Sequence, residues 1–232
     1  FAGSPRGTIL DANGNISAGF SLDEIDHITI GGLIIANAAE NGLYGYDSDY
    51  LRFSRNLVVG SLLDGVYLDN AAAPVLLNNR ITNNSGSGFY GKDILESLTV
   101  QGNLVANNAG YGITIDDGEN FDISGNTIEG NTDEGITVSQ ADGVLIAENT
   151  VTDNVPTGSS REAGIAIGGC DQAVITENTV SGSWYGVDFS SESAVFSRNR
   201  VFNNQHGVYC AASGCRADNN IVYNNQNWGV RL

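Results

Sequence analysis

Short alternations of apolar and polar residues recur along the whole chain, each opening on a glycine, as in Gly65-Val66-Tyr67-Leu68, Gly112-Ile113-Thr114-Ile115, Gly135-Ile136-Thr137-Val138 and Gly207-Val208-Tyr209-Cys210. The series runs through Gly42, Gly65, Gly88, Gly112, Gly135, Gly164, Gly186, Gly207 and Gly229, at intervals of 21 to 24 residues with one of 29. Period-two alternation of this length predicts a half-buried strand. A second signature, an Asn followed two residues later by Val or Ile, runs in step through Asn56, Asn79, Asn103, Asn126, Asn149, Asn178, Asn199 and Asn220. Five and three residues ahead of the Asn lies another apolar pair, such as Phe121 and Ile123 or Val144 and Ile146. Each period therefore holds three short strands.

Three strands in about 22 residues, with no helix-length pattern anywhere, predict an all-β fold: a right-handed parallel β-helix solenoid of about ten coils. A barrel or propeller would need hairpin turns and longer blades, and the leucine-rich repeat consensus is absent. The Asn column reads as scaffold, because stacked amides bond one another and Asn tolerates left-handed backbone. The glycines read as corners needing unusual dihedrals. Gly19-Phe20-Ser21-Leu22 and Ile28-Thr29-Ile30 fit a degenerate first coil with Leu33 in the Asn column. Residues 1–18 are then an edge or cap segment, and 19–232 a single domain. The 29-residue period carries "DNVPTGSSREAG", a loop insertion over 153–163.

Strand alternation decides what faces out. With the residues one and three after each glycine inside, those two and four after it form outward columns. The first contains Tyr44, Tyr67 and Tyr90, and the second Tyr46, Asp69, Lys92 and Asp116. Consecutive tyrosines about 4.8 Å apart would make a flat aromatic stripe, a natural platform for sugar rings. Tyr46, Tyr67, Tyr90, Asp49 and Asp116 are the expected substrate contacts. Beside them lie Asp47, Asp49, Asp69, Asp93 and Asp117, with Lys92 the only lysine. Carboxylates paired across a groove could serve glycoside hydrolysis. Alternatively Asp47, Asp69 and Asp93 could hold Ca²⁺ against a uronate while Lys92 or Tyr44 takes a proton. A plainer reading leaves Lys92 as a solvated amine paired with Asp69 or Asp93, the tyrosines as strand formers and the aspartates as turn residues.

Composition narrows the partners. Twenty-seven acidic residues against ten basic ones give a net charge of −17, which repels nucleic acid and anionic lipid. No apolar run approaches the roughly 20 residues that span a bilayer, so membrane insertion is not expected. The chain opens on Phe1 and contains no methionine, and so reads as a segment of a longer protein. His206 falls seven coils from Tyr44, about 34 Å along the rod, where it could group with Asp188, Tyr185 and Tyr209. His27 has no evident partner. Cys210 and Cys215 flank one corner, and either a short disulfide or two buried thiols fit there.

The Gly/Asn periodicity resembles the parallel β-helix superfamily, rich in secreted polysaccharide lyases, hydrolases and epimerases and in adhesin or spike domains. Residues 44–49, "YGYDSD", resemble more narrowly the catalytic turn of mannuronan C-5 epimerases, Tyr-Gly-Phe-Asp-Pro-His. Tyr44, Gly45 and Asp47 match, and Asp69 falls where that family carries a further active-site aspartate. The resemblance implies catalytic roles for Tyr44, Asp47 and Asp69, with Lys92 standing in for the family's basic residues. Ser48 and Asp49 replace Pro-His, and "SGSG" replaces a following Arg-His-Gly, which removes those basic groups. The expectation is an extracellular or cell-surface β-helix that binds or processes a polysaccharide. The competing class is a structural or adhesive solenoid without chemistry.

Overall fold

Each strand of the computed structural model, which describes residues 8–155 and 162–231, pairs parallel with its counterpart one coil away. The described residues form three sheets of ten, ten and nine strands, a three-sided solenoid of the predicted kind. The first sheet starts at Thr8–Asp11 and carries the Val and Ile that follow each Asn; Thr8–Asp11 is its edge strand. The second runs from Phe20–Asp23 through Leu43–Tyr46, Val66–Ala72, Phe89–Leu95 and Ile113–Glu119 to Trp228–Arg231. The third holds the apolar pairs ahead of the Asn, such as Phe121–Ser124.

The in–out register follows the alternation. Val66, Leu68, Ile113, Ile115, Ile136 and Val138 are fully buried, and Phe53, Phe89, Phe121, Phe189 and Phe196 fill the interior between the sheets. Each such side chain contributes about 1.5–3 kcal/mol on leaving water. Of the 153–163 insertion, residues 156–161 lie outside the described residues, and strand Ala163–Gly168 resumes the register with Ile165 opposite Ile136.

Two corners are held by amide ladders. Asn103 donates both its backbone N–H and its Nδ2 to Oδ1 of Asn126, at 2.8 and 3.0 Å, and Asn126 repeats this to Asn149. The ladder ends where Leu33, in the Asn column, offers only its backbone N–H to Asn56. A second ladder through Asn84, Asn108, Asn131 and Asn154 holds the next corner; it escapes the Asn-x-Val pattern because no such pair follows it.

Both conformational expectations about these corners need correction. The ladder Asn residues do not adopt left-handed backbone; the residue before each one does, as at Arg55 (φ 57°), Asn78 (53°), Glu148 (57°) and Asn219 (55°). Nor do the column glycines have positive φ. A Cβ on Gly135 would lie 2.4 Å from Val151 Cγ1 and 2.6 Å from Gly164 O, so these positions need glycine because the next corner and coil approach too closely for a side chain. Cys210 and Cys215 are joined in a disulfide, while Cys170 is free and buried.

Candidate functional site

The outward face of the second sheet brings the predicted tyrosines together. Tyr44, Tyr67 and Tyr90 are register partners in three successive coils. The Tyr44 and Tyr67 rings are parallel within 1° at 5.7 Å, whereas Tyr90 meets Tyr67 edge-on at 81° and 5.3 Å. The platform is thus two flat rings with a third turned as a wall, an arrangement ring quadrupoles favour, rather than one flat stripe. Tyr46 is exposed beside them. Tyr67 donates its hydroxyl to Asp69 at 3.2 Å, and burial, reinforced by the Asp69 charge, pushes its pKa up to about 12.

The aspartates are already engaged. Lys92 Nζ lies 3.5 Å from Asp69 Oδ2 and 3.4 Å from Asp93 Oδ2, and these partners, the Asp93 hydrogen bond foremost, raise its pKa. Asp47 accepts the Asn70 side-chain amide. Asp49 accepts the Ala72 backbone N–H at 2.8 Å and gives its own N–H to Asp26, a corner bond of the same kind as the amide ladders. Asp116 accepts the Ser139 hydroxyl at 2.8 Å. The expected Ca²⁺ ligands therefore do not form a cage: Asp69 and Asp93 are both paired with Lys92, and among the described residues no three His, Cys, Asp or Glu are grouped for a metal ion. His27 does have a partner after all, stacking on Tyr50 at 4.7 Å.

Beyond the Tyr90 wall the sheet dips into a depression of about 250 Å³ lined by Tyr90, Tyr111, Thr114, Asp116, Thr137 and Ser139. Thr137 Oγ1 is buried there without a hydrogen-bond partner. A carboxyl, Glu134, sits three residues before Thr137 and acts electrostatically on Tyr111. Burial, with Glu162, Asp133 and Asp188 adding negative charge, pushes Glu134 up to about 7. Tyr111 and Glu134 were missed in the sequence because they occupy a column outside the two alternating outward ones, one residue before each glycine, running Ser87, Tyr111, Glu134, Ala163, Tyr185, His206, Trp228.

A model described as "Right handed beta helix region" matches residues 18–160. The chain belongs to the right-handed β-helix family. A second model, "Periplasmic copper-binding protein (NosD)", matches residues 146–231. No curated protein matches the chain. Among solved structures, the A-module of the Azotobacter vinelandii mannuronan C-5 epimerase AlgE6 is 18% identical over 83% of this β-helix and 64% of that chain, with a TM-score of 0.62. A variant of the periplasmic alginate epimerase AlgG is 16% identical over 88% of this chain and 50% of its own, at 0.68. The catalytic unit of a GH87 alpha-1,3-glucanase from Streptomyces thermodiastaticus is 16% identical over 93% and 50%, at 0.50. This β-helix thus spans about half to two thirds of these proteins, and at such identities the likeness is one of fold.

Copper does not fit the residues described in 146–231. Copper takes imidazole and soft sulfur ligands. Here Cys210 and Cys215 are consumed in a disulfide, Cys170 is buried, the chain has no methionine, and His206 is the region's single histidine.

Proposed function

We propose that the outward face of the second sheet, from Tyr44 to Ser139, binds a polysaccharide chain. The observation that carries this is the sequence of Tyr44, Tyr67 and Tyr90 rings in successive coils, leading into a depression lined with hydroxyls and the Asp116 carboxylate. Sugar rings present C–H faces to aromatic platforms and hydroxyls to polar rims, and this face offers both in that order.

The fold neighbours act, by their names, on a uronate polymer or on a neutral glucan, so the fold alone does not choose between ligands. Charge favours the neutral one. Lys92 is matched by Asp69 and Asp93, and Asp47, Asp116 and Glu134 would all oppose an incoming uronate on a chain of net charge −17. Lys92 and Tyr67 both keep their protons at neutral pH, so neither suits the abstraction of a C-5 proton. Glu134, raised to about 7 by burial, is the carboxyl near this face that exchanges a proton close to neutral pH. The Cys210–Cys215 disulfide and the polysaccharide ligand together suit an extracellular or periplasmic compartment.

Calorimetric titration with neutral hexasaccharides and with hexamannuronate tests the reading. Neutral hexamers are expected to bind to the wild type and at least tenfold more weakly to Tyr67→Ala, with hexamannuronate silent. Binding that ignores Tyr67→Ala and Tyr44→Ala would sink the platform, and silence on every glycan returns the chain to the class of purely structural solenoids.

A further inference from the structure

The second sheet carries another group of rings on its outward face, toward its other end. Tyr185, His206 and Trp228 are register partners in successive coils, with ring centroids 5.1 Å and 4.4 Å apart. Trp184 packs on His206 at 5.6 Å, and Tyr209 lies 5.9 Å from Tyr185 and 6.2 Å from Trp228. All five are partly exposed, and the interior of the coils holding Tyr185 and His206 is already filled by Val187, Phe189, Val208 and Cys210. The rings are therefore surplus to the packing of the solenoid.

Polar groups stand among them. His206 Nδ1 is buried without a partner, its Nε2 faces the Asn227 amide at 3.4 Å, and the Arg231 guanidinium lies 5.7 Å over Tyr209. Burial and Arg231 hold the His206 pKa below its usual value, so at neutral pH the imidazole is an uncharged ring, with Nδ1 buried and Nε2 on the exposed side beside Asn227. Between this group and the first platform the same outward column reads Thr114, Thr137, Ala166 and Asp188. The first face ends at Thr137 and Ser139, and from Thr137 to Asp188 is two coils, about 10 Å.

We propose that Trp184, Tyr185, His206, Tyr209 and Trp228 form a second, separate carbohydrate subsite for an uncharged sugar, with the rings taking its C–H face and His206 and Asn227 its hydroxyls. It stands on its own rings and does not depend on Tyr44, Tyr67 and Tyr90. The chain has two tryptophans, Trp184 and Trp228, and both lie in this group, so tryptophan emission reports on it alone. On titration with cello-, manno- and xylohexaose, a saturable emission change is expected with at least one of them. That change should persist in Tyr67→Ala and weaken at least tenfold in Tyr185→Ala and His206→Ala, which keep both reporters. Should Tyr185→Ala melt early, Tyr185→Leu supplies bulk without a ring and should weaken binding equally. The proposal is overturned by no emission change with any neutral hexamer, by a response confined to hexamannuronate, or by a response abolished in Tyr67→Ala and untouched in Tyr185→Leu and His206→Ala.

Discussion

Lys92 Nζ stands 3.5 Å from Oδ2 of Asp69, its register partner one coil away, and the Asp69 side chain is only 16% exposed. With Asp93 on its other side at 3.4 Å, the ammonium lies between two carboxylates. Two consequences can be measured by thermal melting. The wild type should melt at the same temperature in millimolar CaCl2 and in EDTA. Lys92→Ala, which leaves Asp69 and Asp93 uncompensated, should instead gain a calcium-dependent rise in midpoint. A wild type stabilised by calcium and lowered by EDTA would show that the aspartates bind metal despite the lysine.

The Asn ladders should matter more to stability than any residue of the tyrosine platform. Asn126→Ala removes the acceptor for two donors of Asn103 and the donor to Val100 O, all buried. Buried groups left unpaired in this way cost about 1–3 kcal/mol each, so a loss of at least about 3 kcal/mol is expected. Asp47→Asn, at a partly exposed turn, should change stability by less than about 0.5 kcal/mol. Urea unfolding measures both. Equal shifts in midpoint would mean that the ladder is no more important than a surface turn.

Gly135→Ala and Gly125→Ala separate the two reasons for a glycine. Gly125 has φ +62° and open space around it, so alanine there costs only its strained backbone, about 1 kcal/mol. Gly135 has no positive φ, but its Cβ would meet Val151 Cγ1 at 2.4 Å and Gly164 O at 2.6 Å. Overpacking against backbone costs about 1–3 kcal/mol or more, so Gly135→Ala should be the more damaging. Adding Val151→Ala should not restore it, because the carbonyl contact remains. A Gly125→Ala that proved worse than Gly135→Ala would reinstate the conformational explanation for the column.

The periodic part of this fold was legible because a solenoid repeats its constraints: every coil must supply inward apolar residues, a ladder amide and a glycine, and the repetition exposes them. Val66, Ile113 and Ile136 were placed inward from alternation alone, and the structure buries them fully. The reason for the glycines was not legible, since the contact between Gly135 and Val151 joins two different sheets and no local pattern encodes it. The tyrosine column was found because its members repeat. Tyr111 and Glu134 were not, because neighbours in their column are chemically unlike; the depression brings Tyr111 beside Thr137 and Tyr90, and Glu134 acts electrostatically on Tyr111. Likewise, the sequence could place Asp47, Asp69 and Asp93 near one another but not show that Asn70 and Lys92 had already engaged their oxygens.

Glu134 should make stability depend on pH in the sense opposite to a salt-bridged carboxylate. Burial raises its folded pKa from 4.5 to about 7, with Glu162, Asp133 and Asp188 adding to the rise. Below the unfolded value both states hold the proton and Glu134 imposes no penalty. As pH climbs from 4.5 through about 7, the unfolded chain releases the proton more readily than the folded one, so stability is progressively lost and the full penalty is present above that range. Glu134→Gln removes the titration while keeping the shape of the side chain. Its melting midpoint should exceed that of the wild type at pH 8 and approach it at pH 4, with the difference opening between. If the two proteins differ by the same amount at both pH values, the carboxyl is not held in the desolvated setting described, and its candidacy for proton transfer at neutral pH falls with it.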